Sequence, residues 1–408
     1  MGDLVTLWTN RTFVLHITSA TTSSLGTAAS QVAVVFAVRG IGGTPADIGL
    51  VAAAGLVPAL VFFLVGGVIA DRWPRNLVLV GANTLSALSQ GVLAVLVLTG
   101  QARLGHIVAA AAANGLATAF AMPASQGLLM RGVAKEHGPR AFATFRLGLT
   151  LAQIGGAALG GVLVAATGAG WVLAIDALTF VVAILLRLLV RVEGTFTVRG
   201  HLGRELREGW TELRSHRWLG PVIIQFAAVN TLAVGAYELV LGPVDTAETL
   251  GGAAAWGAIS ACDAAGMVLG GLLLMRFTSS RPLVAAVIGG VLTVSPLVAM
   301  AAAAPLTVVC AAAVAAGVGV EVFGVHLMTM LQREVRPDRL SRVSAYQSLA
   351  GFGLTPVGAA LAGPLAAVAG IRGALWATSA LLLLIAAVVL SLPSVRVVRA
   401  DAEIVGAG

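Results

Sequence analysis

Charged residues are scarce in this chain: Asp, Glu, Lys and Arg make up 11% of its 408 residues, whereas 58% are hydrophobic. Soluble domains carry about 25% charged and about 45–50% apolar residues, so this chain has too little polar surface to fold in water. A membrane β-barrel is also excluded, because its strands would alternate apolar and polar residues over segments of about 10 residues. The composition therefore predicts a helical membrane protein.

Sequence motifs for common chemistry are missing as well. The only lysine, Lys135, follows Ala134, whereas the phosphate-binding loop of ATPases needs a lysine directly after its glycines. The H-E-x-x-H and G-x-S-x-G motifs and paired-cysteine metal spacings do not occur. We therefore expect no enzyme, no cofactor and no metal site. Cys262 and Cys310 fall inside predicted helices, where they serve as small packing residues.

Uncharged tracts longer than the roughly 20 residues of a spanning helix recur along the chain. The longest of them is divided at Ala304 and Pro305. The pattern predicts an all-α membrane protein with twelve transmembrane helices, at 12–38, 46–70, 77–99, 105–130, 141–167, 171–190, 218–241, 252–275, 283–303, 306–332, 342–369 and 372–392.

The basic residues predict the orientation of these helices. An even number of helices places both termini on one side of the membrane, and the loops of that side contain nearly all Lys and Arg residues. The opposite loops contain only Arg39, Arg103 and Arg372. By the positive-inside rule, both termini are cytoplasmic and the protein lies in the cell membrane. The net charge of +7 then follows from topology and indicates no nucleic-acid partner.

The chain contains an internal repeat. Residues 140–168 align without a gap with residues 342–370, and the alignment pairs Gly168 with Gly370. The same shift of the sequence pairs Gly115 with Gly317. This recurrence predicts that the chain arose by duplication of a six-helix unit.

A charged segment, 191–217, separates the two halves. Within it, apolar residues recur at helical spacing between Arg and Glu residues, as in a short helix on the membrane surface. We therefore expect an N-terminal six-helix bundle at 1–190, a cytoplasmic linker at 191–217 and a C-terminal six-helix bundle at 218–408.

The loop between the second and third predicted helices reads G-x-x-x-D-R-x-P-R, from Gly67 to Arg75. Together with the repeat, this loop resembles the major facilitator superfamily, which carries G-x-x-x-D-R-x-G-R there; Pro74 replaces the second glycine. The segment 331–348 is similar to a multidrug branch that includes macrolide-efflux proteins and the enterobactin exporter. The resemblance covers essentially the whole chain and implies a substrate site near the membrane midplane between two pseudo-symmetric bundles.

The resemblance also implies a conformational latch formed by Gly67, Asp71, Arg72 and Arg75. Asp71 ends the second helix, where its carboxylate can accept hydrogen bonds from the N–H groups that begin a neighbouring helix. In the family this neighbour is helix 11, so the contact forms only when the cytoplasmic side is closed. The alternative is that these charges merely anchor a tight loop.

Besides Asp47 at the start of the second helix, four acidic residues lie within predicted helices, where an ionised side chain costs roughly 2.5–3.5 kcal/mol on insertion scales. Asp263 and Glu321 are the deepest, on the order of 16–18 Å from the cytoplasmic helix ends. The resemblance places helix 10 at the central cavity, so Glu321 is the first candidate for proton coupling or for binding a cationic substrate. Asp176 and Glu238, one to two turns from the extracellular ends, are either functional or interfacial and hydrated.

Other polar residues are weaker candidates. Arg146, roughly 8 Å inside helix 5, either pairs with an acid such as Glu321 or extends to the cytoplasmic surface. The family's cavities are lined by helices 1, 4, 7 and 10, which implies cavity positions for Gln31, Asn114 and Asn230. Polar side chains on such helices also commonly bond to their own helix.

The resemblance implies a secondary transporter that works by alternating access, and the few fixed charges favour proton-coupled efflux of small amphipathic or lipophilic compounds such as drugs. Its partners would be a small-molecule substrate, protons and the lipid bilayer, and the chain would act as a monomer. Two features depart from the family's antiporters: Ala111 replaces a common arginine, and Ala157 replaces a proline. The alternatives are a transporter of one specific metabolite, such as a siderophore, or a non-transporting membrane sensor or enzyme.

Overall fold

The computed structural model of the chain describes residues 8–72, 74–131, 138–190, 211, 213–276, 279–335, 343, 346–347, 349–351 and 353–397. These residues form helices joined by short connections, and no strand occurs among them. The first half contains six helices: α1 (Arg11–Gly40), α2 (Pro45–Arg72), α3 (Arg75–Leu98), α4 (Leu104–Arg131), α5 (Gly138–Thr167) and α6 (Ala169–Leu188).

The second half is less regular. Helix α7 begins with Leu219–Ala228 and continues through π-helical Val229–Leu241, α-helical Gly242–Asp245 and π-helical Thr246–Leu250. Helix α8 is Ala253–Arg276, α9 consists of Pro282–Leu292 and Ser295–Ala301, and α10 is Leu306–Glu334. A last long helix, Thr355–Ser391, is divided at Gly370 into α11 (355–369) and α12 (371–391), and the short helix Pro393–Arg396 follows.

Helix α7 is longer than the sequence suggests. The prediction ended it at residue 241, but the helix continues to Leu250. Asp245 and Glu248 resemble loop residues in the sequence, which explains the error. In the structure Asp245 is buried, and the Thr249 hydroxyl donates its one hydrogen to the Asp245 backbone carbonyl at 2.9 Å, with Asp245 Oδ2 also within reach at 3.3 Å. The helix therefore accommodates an acidic residue that would otherwise mark its end.

Eleven of the helical segments in the described residues are long and apolar enough to cross a membrane. The last of them, Leu349–Ser391, runs through Gly370 and so includes both of the final predicted helices. A continuous 37-residue helix would be about 55 Å long, well beyond a hydrocarbon core of about 30 Å. The break at Gly370 supports two separate spans, although the count of twelve remains a prediction.

In each half the chain turns between its last two helices at an equivalent glycine. Between α5 and α6, Gly168 has φ 86° and ψ 162°, and Gly370 has φ 73° and ψ 163°. This backbone region is essentially restricted to glycine, because a side chain would collide with the neighbouring backbone. Gly168 and Gly370 are also paired by the sequence repeat, so the same turn is preserved in both copies.

The outward face of α3 is apolar and its inward face is polar. Leu88, Val92 and Val95 are exposed, at 63%, 60% and 59%. Asn83 and Gln90 on the same helix are buried. Soluble amphipathic helices show the reverse arrangement. An exposed apolar face of this kind is the arrangement expected of a multi-pass membrane protein.

The chain divides into two compact units, one formed by Met1–Arg199 with Gly251–Gly257 and the other by Gly200–Leu250 with Ala258–Gly408. In the first unit α1 packs on α5 and α6, α2 on α4, and α3 on α4 and α6. In the second unit α9 packs on α10 and α12, and the π-helical part of α7 packs on the helix that contains α11. The predicted linker, 191–217, lies largely outside the described residues.

Glycine contacts repeat between the units. A Cβ atom on Gly156 of α5 would overlap the Leu25 carbonyl of α1, and one on Gly358 of α11 would overlap the Thr231 carbonyl of α7. Since the sequence repeat pairs Gly156 with Gly358, these two backbone contacts are equivalent. The packing of each unit thus supports the duplication that the sequence predicts.

We expect Gly168→Ala and Gly370→Ala each to lower the free energy of unfolding by about 1–3 kcal/mol, because alanine cannot adopt this backbone conformation without strain. The measurement is thermal unfolding of the purified protein in detergent micelles, followed by tryptophan fluorescence. Gly220→Ala is the control, since a Cβ there meets no atom within 4 Å. Equal stability of Gly370→Ala and Gly220→Ala would contradict the proposed turn.

Candidate functional site

Two carboxyl groups lie close together in the second unit. Glu238 of α7 is within electrostatic range of Asp263 of α8. Tyr237, next to Glu238 in the chain, is buried and lies within range of the same two acids. Sequence reasoning selected Glu238 and Asp263 separately but had no means of pairing them, because the two helices meet only in the folded unit.

Glu238 lies near the middle of α7 rather than at its extracellular end. The helix continues for twelve residues beyond it to Leu250, so the predicted distance of one to two turns is wrong. Glu238 also belongs to the 13-residue π-helical segment Val229–Leu241. π-helical turns are rare, usually single, and often found at functional sites. Part of the Glu238 side chain is exposed, although its carboxyl group is surrounded closely enough by protein to be desolvated.

Glu321 belongs to α10 and lies where this helix contacts α8, the helix of Asp263. Its side chain is half-buried and packs against Gly270 and Gly271 of α8. A Cβ on Gly270 would be 3.0 Å from the Glu321 Cβ atom, and one on Gly271 would be 4.0 Å from Oε1. Along α8, Gly270 is about 10 Å beyond Asp263, at 1.5 Å per residue. The structure therefore brings Asp263 and Glu321 to the same helix pair, but at different depths.

The backbones of α8 and α10 touch beside Asp263. A Cβ on Gly317 would overlap the Asp263 carbonyl, and one on Gly266 would overlap the Val314 carbonyl. Small residues allow such close approach between membrane helices. Because Asp263 is part of this contact, its position depends directly on Gly317.

The electrostatic environment of this site is acidic. Residues 218–275 contain four acids, Glu238, Asp245, Glu248 and Asp263, and no Lys, Arg or His. Asp245 is a further acid of this region that sequence reasoning missed, because it fell beyond the predicted end of α7. Arg372 of α12 lies within electrostatic range of Asp245, but the four acids outnumber it. A concentration of negative charge of this kind, within helices long enough to span a membrane, favours cations and protons over anions.

Asp176 occupies a different environment in the first unit. Its side chain is fully buried, at 0% exposure, so the hydrated interfacial position considered from the sequence is wrong. Ser30 of α1, Gln90 of α3 and Thr179 of α6 face its carboxyl group. Neither carboxylate oxygen has a hydrogen-bond partner.

A second buried polar group in this unit is centred on Arg187, which sequence reasoning did not select. Arg187 is 3% exposed and donates a hydrogen bond from Nη1 to Nδ1 of His16, at 3.1 Å. His16 must then carry its proton on Nε2, which lies 3.1 Å from the Ser125 carbonyl. The imidazole stacks on Phe145 with ring centroids 5.1 Å apart. These contacts join α1, α4, α5 and α6 near one end of the unit.

The predicted cavity amides differ in their surroundings. Gln31 is exposed, whereas Asn114 and Asn230 are half-buried. Asn230 Nδ2 donates to the Phe226 carbonyl of its own helix at 2.9 Å, which is the local bond expected of many membrane-helix amides. Arg146 is exposed on α5. The assignment of Gln31, Asn114 and Asn230 to a substrate cavity remains a prediction.

The predicted latch is only partly described. Helix α2 ends at Arg72, and Pro74 caps the start of α3 with an extended ψ of 116°, so Arg75 is the first residue of α3. The side chains of Gly67, Asp71 and Arg72 lie outside the described residues. The latch therefore remains a prediction.

The sequence matches the family model of the Major Facilitator Superfamily over residues 16–354. The chain thus belongs to this superfamily of membrane transporters, in agreement with its helix packing and internal repeat.

Curated relatives are efflux proteins. The chain is 27% identical to the multidrug efflux pump Tap of Mycolicibacterium fortuitum over 403 residues, which covers 94% of this chain and 96% of Tap. It is 23% identical to macrolide efflux protein A of Streptococcus pyogenes over 334 residues, covering 79% of this chain and 81% of that protein. These similarities agree with the branch that the segment 331–348 suggested.

Solved structures share the fold. The nucleoside transporter NupG aligns with a TM-score of 0.70 and 13% identity, covering 93% of this chain and 98% of NupG. An autoinhibited peptide transporter of the POT family aligns with a TM-score of 0.72 and 12% identity, covering 96% of this chain and 98% of that structure.

Gly317→Ala should lower the free energy of unfolding by about 1–3 kcal/mol, because the added methyl group overlaps the Asp263 carbonyl and forces α8 and α10 apart. Gly324→Ala on the same helix is the matched control, since its Cβ meets nothing within 4 Å. Thermal unfolding in micelles compares the two variants. If both retain the stability of the wild type, α8 and α10 do not touch at Gly317.

Proposed function

We propose that this protein exports small amphipathic compounds, chiefly cations, in exchange for protons by alternating access. The observation that carries the proposal is the electrostatic proximity of Glu238 and Asp263, on two helices whose residues 218–275 include no Lys, Arg or His. The efflux activities named for its relatives in Mycolicibacterium and Streptococcus support the direction and the substrate class.

The acid pair suggests how protons and substrate compete. Two neighbouring carboxylates repel each other and need a compensating positive charge when both are ionised. A proton supplies that charge, and so does an organic cation. In this mechanism a cation from the cytoplasm displaces protons from the pair, and protons from outside then displace the cation after the transporter has reoriented. Because the acid pair binds the proton and the organic cation alternately, transport of one is coupled to transport of the other.

Glu321 supports the same mechanism from a position nearer the cytoplasmic end of the contact between α8 and α10. A carboxyl about 10 Å along the helix from Asp263 is too far to share one proton directly with it. It serves in this proposal as an acceptor for protons released from the pair. Its half-buried side chain provides the access that such a transfer requires.

Efflux of ethidium, a fluorescent lipophilic cation, from energised bacteria that lack their own pumps tests the proposal. Wild type should extrude the dye, and a protonophore should stop extrusion. Glu238→Gln, Asp263→Asn and Glu321→Gln should each slow efflux at least about tenfold, since each removes one proton-binding group. Expression in the membrane is measured for every variant.

Glu334→Gln is the matched control, because Glu334 ends the same helix as Glu321 and its ion pair with Arg333, at 3.9 Å, is exposed. Its efflux should equal that of wild type. If wild type is folded but extrudes no dye, a transporter of one specific metabolite becomes the better explanation. If efflux continues in the presence of protonophore, proton exchange is ruled out.

The proposal places both termini in the cytoplasm. A tag on either terminus should therefore be protected from protease in intact spheroplasts and cleaved in inverted vesicles. Tags with opposite accessibility would indicate an odd number of membrane crossings and would overturn the twelve-helix topology.

A further inference from the structure

The carboxyl group of Asp176 lies in a small polar pocket between α1, α3 and α6. Its side chain is completely buried, and the side chains that face it are Ser30, Gln90 and Thr179. Lys and Arg occur on these three helices only in the first or last turn. No basic side chain of these helices therefore lies at the depth of Asp176 to balance its charge.

The two hydroxyl groups beside the carboxyl offer it lone pairs rather than hydrogen-bond donors, whereas the Gln90 amide carries both an acceptor oxygen and a donor NH2 group. The Ser30 hydroxyl donates its hydrogen to the Thr27 carbonyl at 3.0 Å, and the Thr179 hydroxyl donates to the Asp176 backbone carbonyl at 2.7 Å. Each hydroxyl has only one hydrogen, so both oxygens can only accept towards the pocket. Both carboxylate oxygens of Asp176 and Oε1 of Gln90 are buried without a hydrogen-bond partner.

Gly26 packs directly against these oxygens. A Cβ at this position would lie 2.7 Å from Asp176 Oδ1 and even nearer to Thr179 Oγ1. Any side chain on Gly26 would therefore collide with both groups. This close approach places a second residue of α1, besides Ser30, against the carboxyl.

We propose that Asp176, Ser30, Gln90 and Thr179 bind one dehydrated sodium ion. Hard cations are held in proteins by carboxylate, hydroxyl and amide oxygens, which are the atoms that this pocket provides. A monovalent ion leaves the pocket neutral with its single carboxylate, whereas a divalent ion would leave an uncompensated positive charge in a buried site. The ion would also satisfy several acceptors together, whereas a proton on Asp176 would satisfy one.

The experiment measures thermal unfolding of the purified full-length protein in micelles at constant ionic strength, in sodium chloride or choline chloride. Sodium should raise the melting temperature of wild type by roughly 5 °C at a large excess over its dissociation constant. Asp176→Asn should abolish the rise, and Gln90→Met should shift the response to at least about tenfold higher sodium, because one ligand is lost. These substitutions preserve side-chain size, so the folded state remains measurable.

Asp245→Asn is the matched control, since Asp245 is also a buried acid but belongs to α7; it should retain the sodium response. Absence of a sodium response in wild type, or its persistence in Asp176→Asn, overturns the proposal. If acidification alone stabilises wild type but not Asp176→Asn, a proton occupies the pocket and the sodium site is rejected. The measurement needs no transport activity, so its outcome is independent of the proposed efflux function.

Discussion

Direct contact between helix backbones, made possible by glycine, is the constraint on which both units depend. Membrane helices gain little from burying apolar side chains against one another, because lipid is equally apolar, and so they associate through close packing. Gly115 of α4 lies so close to α2 that a Cβ would overlap the Gly55 carbonyl, and Gly317 of α10 has the same relation to Asp263 of α8. These contacts bring the backbones together and thereby fix the side chains on either side of them.

The glycine contacts that recur in both units show which features the two copies of the repeat share and which differ. Gly55 and Asp263 accept equivalent glycine contacts from α4 and α10, so they occupy corresponding places in the two units. The first unit has glycine there, whereas the second has a carboxyl group. The contact requires only a backbone carbonyl, so it is compatible with either side chain at this place, including the carboxyl group to which the proposed function gives a role.

The sequence predicts most of the helices, because an apolar tract that stays uncharged over a spanning length rarely forms anything but a transmembrane helix. It also places a break between predicted helices at Gly370, which the repeat pairs with Gly168. It does not predict the length of α7, since Asp245 resembles a loop residue until its burial is known. The association of Glu238 with Asp263, and of Asp176 with Gln90, depends on contacts between helices, for which local periodicity carries no information. The candidate residues were therefore recognisable individually, but their grouping was not.

Glu238 and Asp176, in different units, differ in exposure. This difference suits Glu238 to the proposed transport cycle and Asp176 to the proposed ion site. Part of the Glu238 side chain is exposed, as the exchange of protons and cations in the proposed transport cycle requires. Asp176 is sealed between α1, α3 and α6, and any ion that it holds can exchange only when those helices part. An ion at Asp176 would instead be retained through many cycles and would stabilise the packing of the three helices, because its release requires that packing to open.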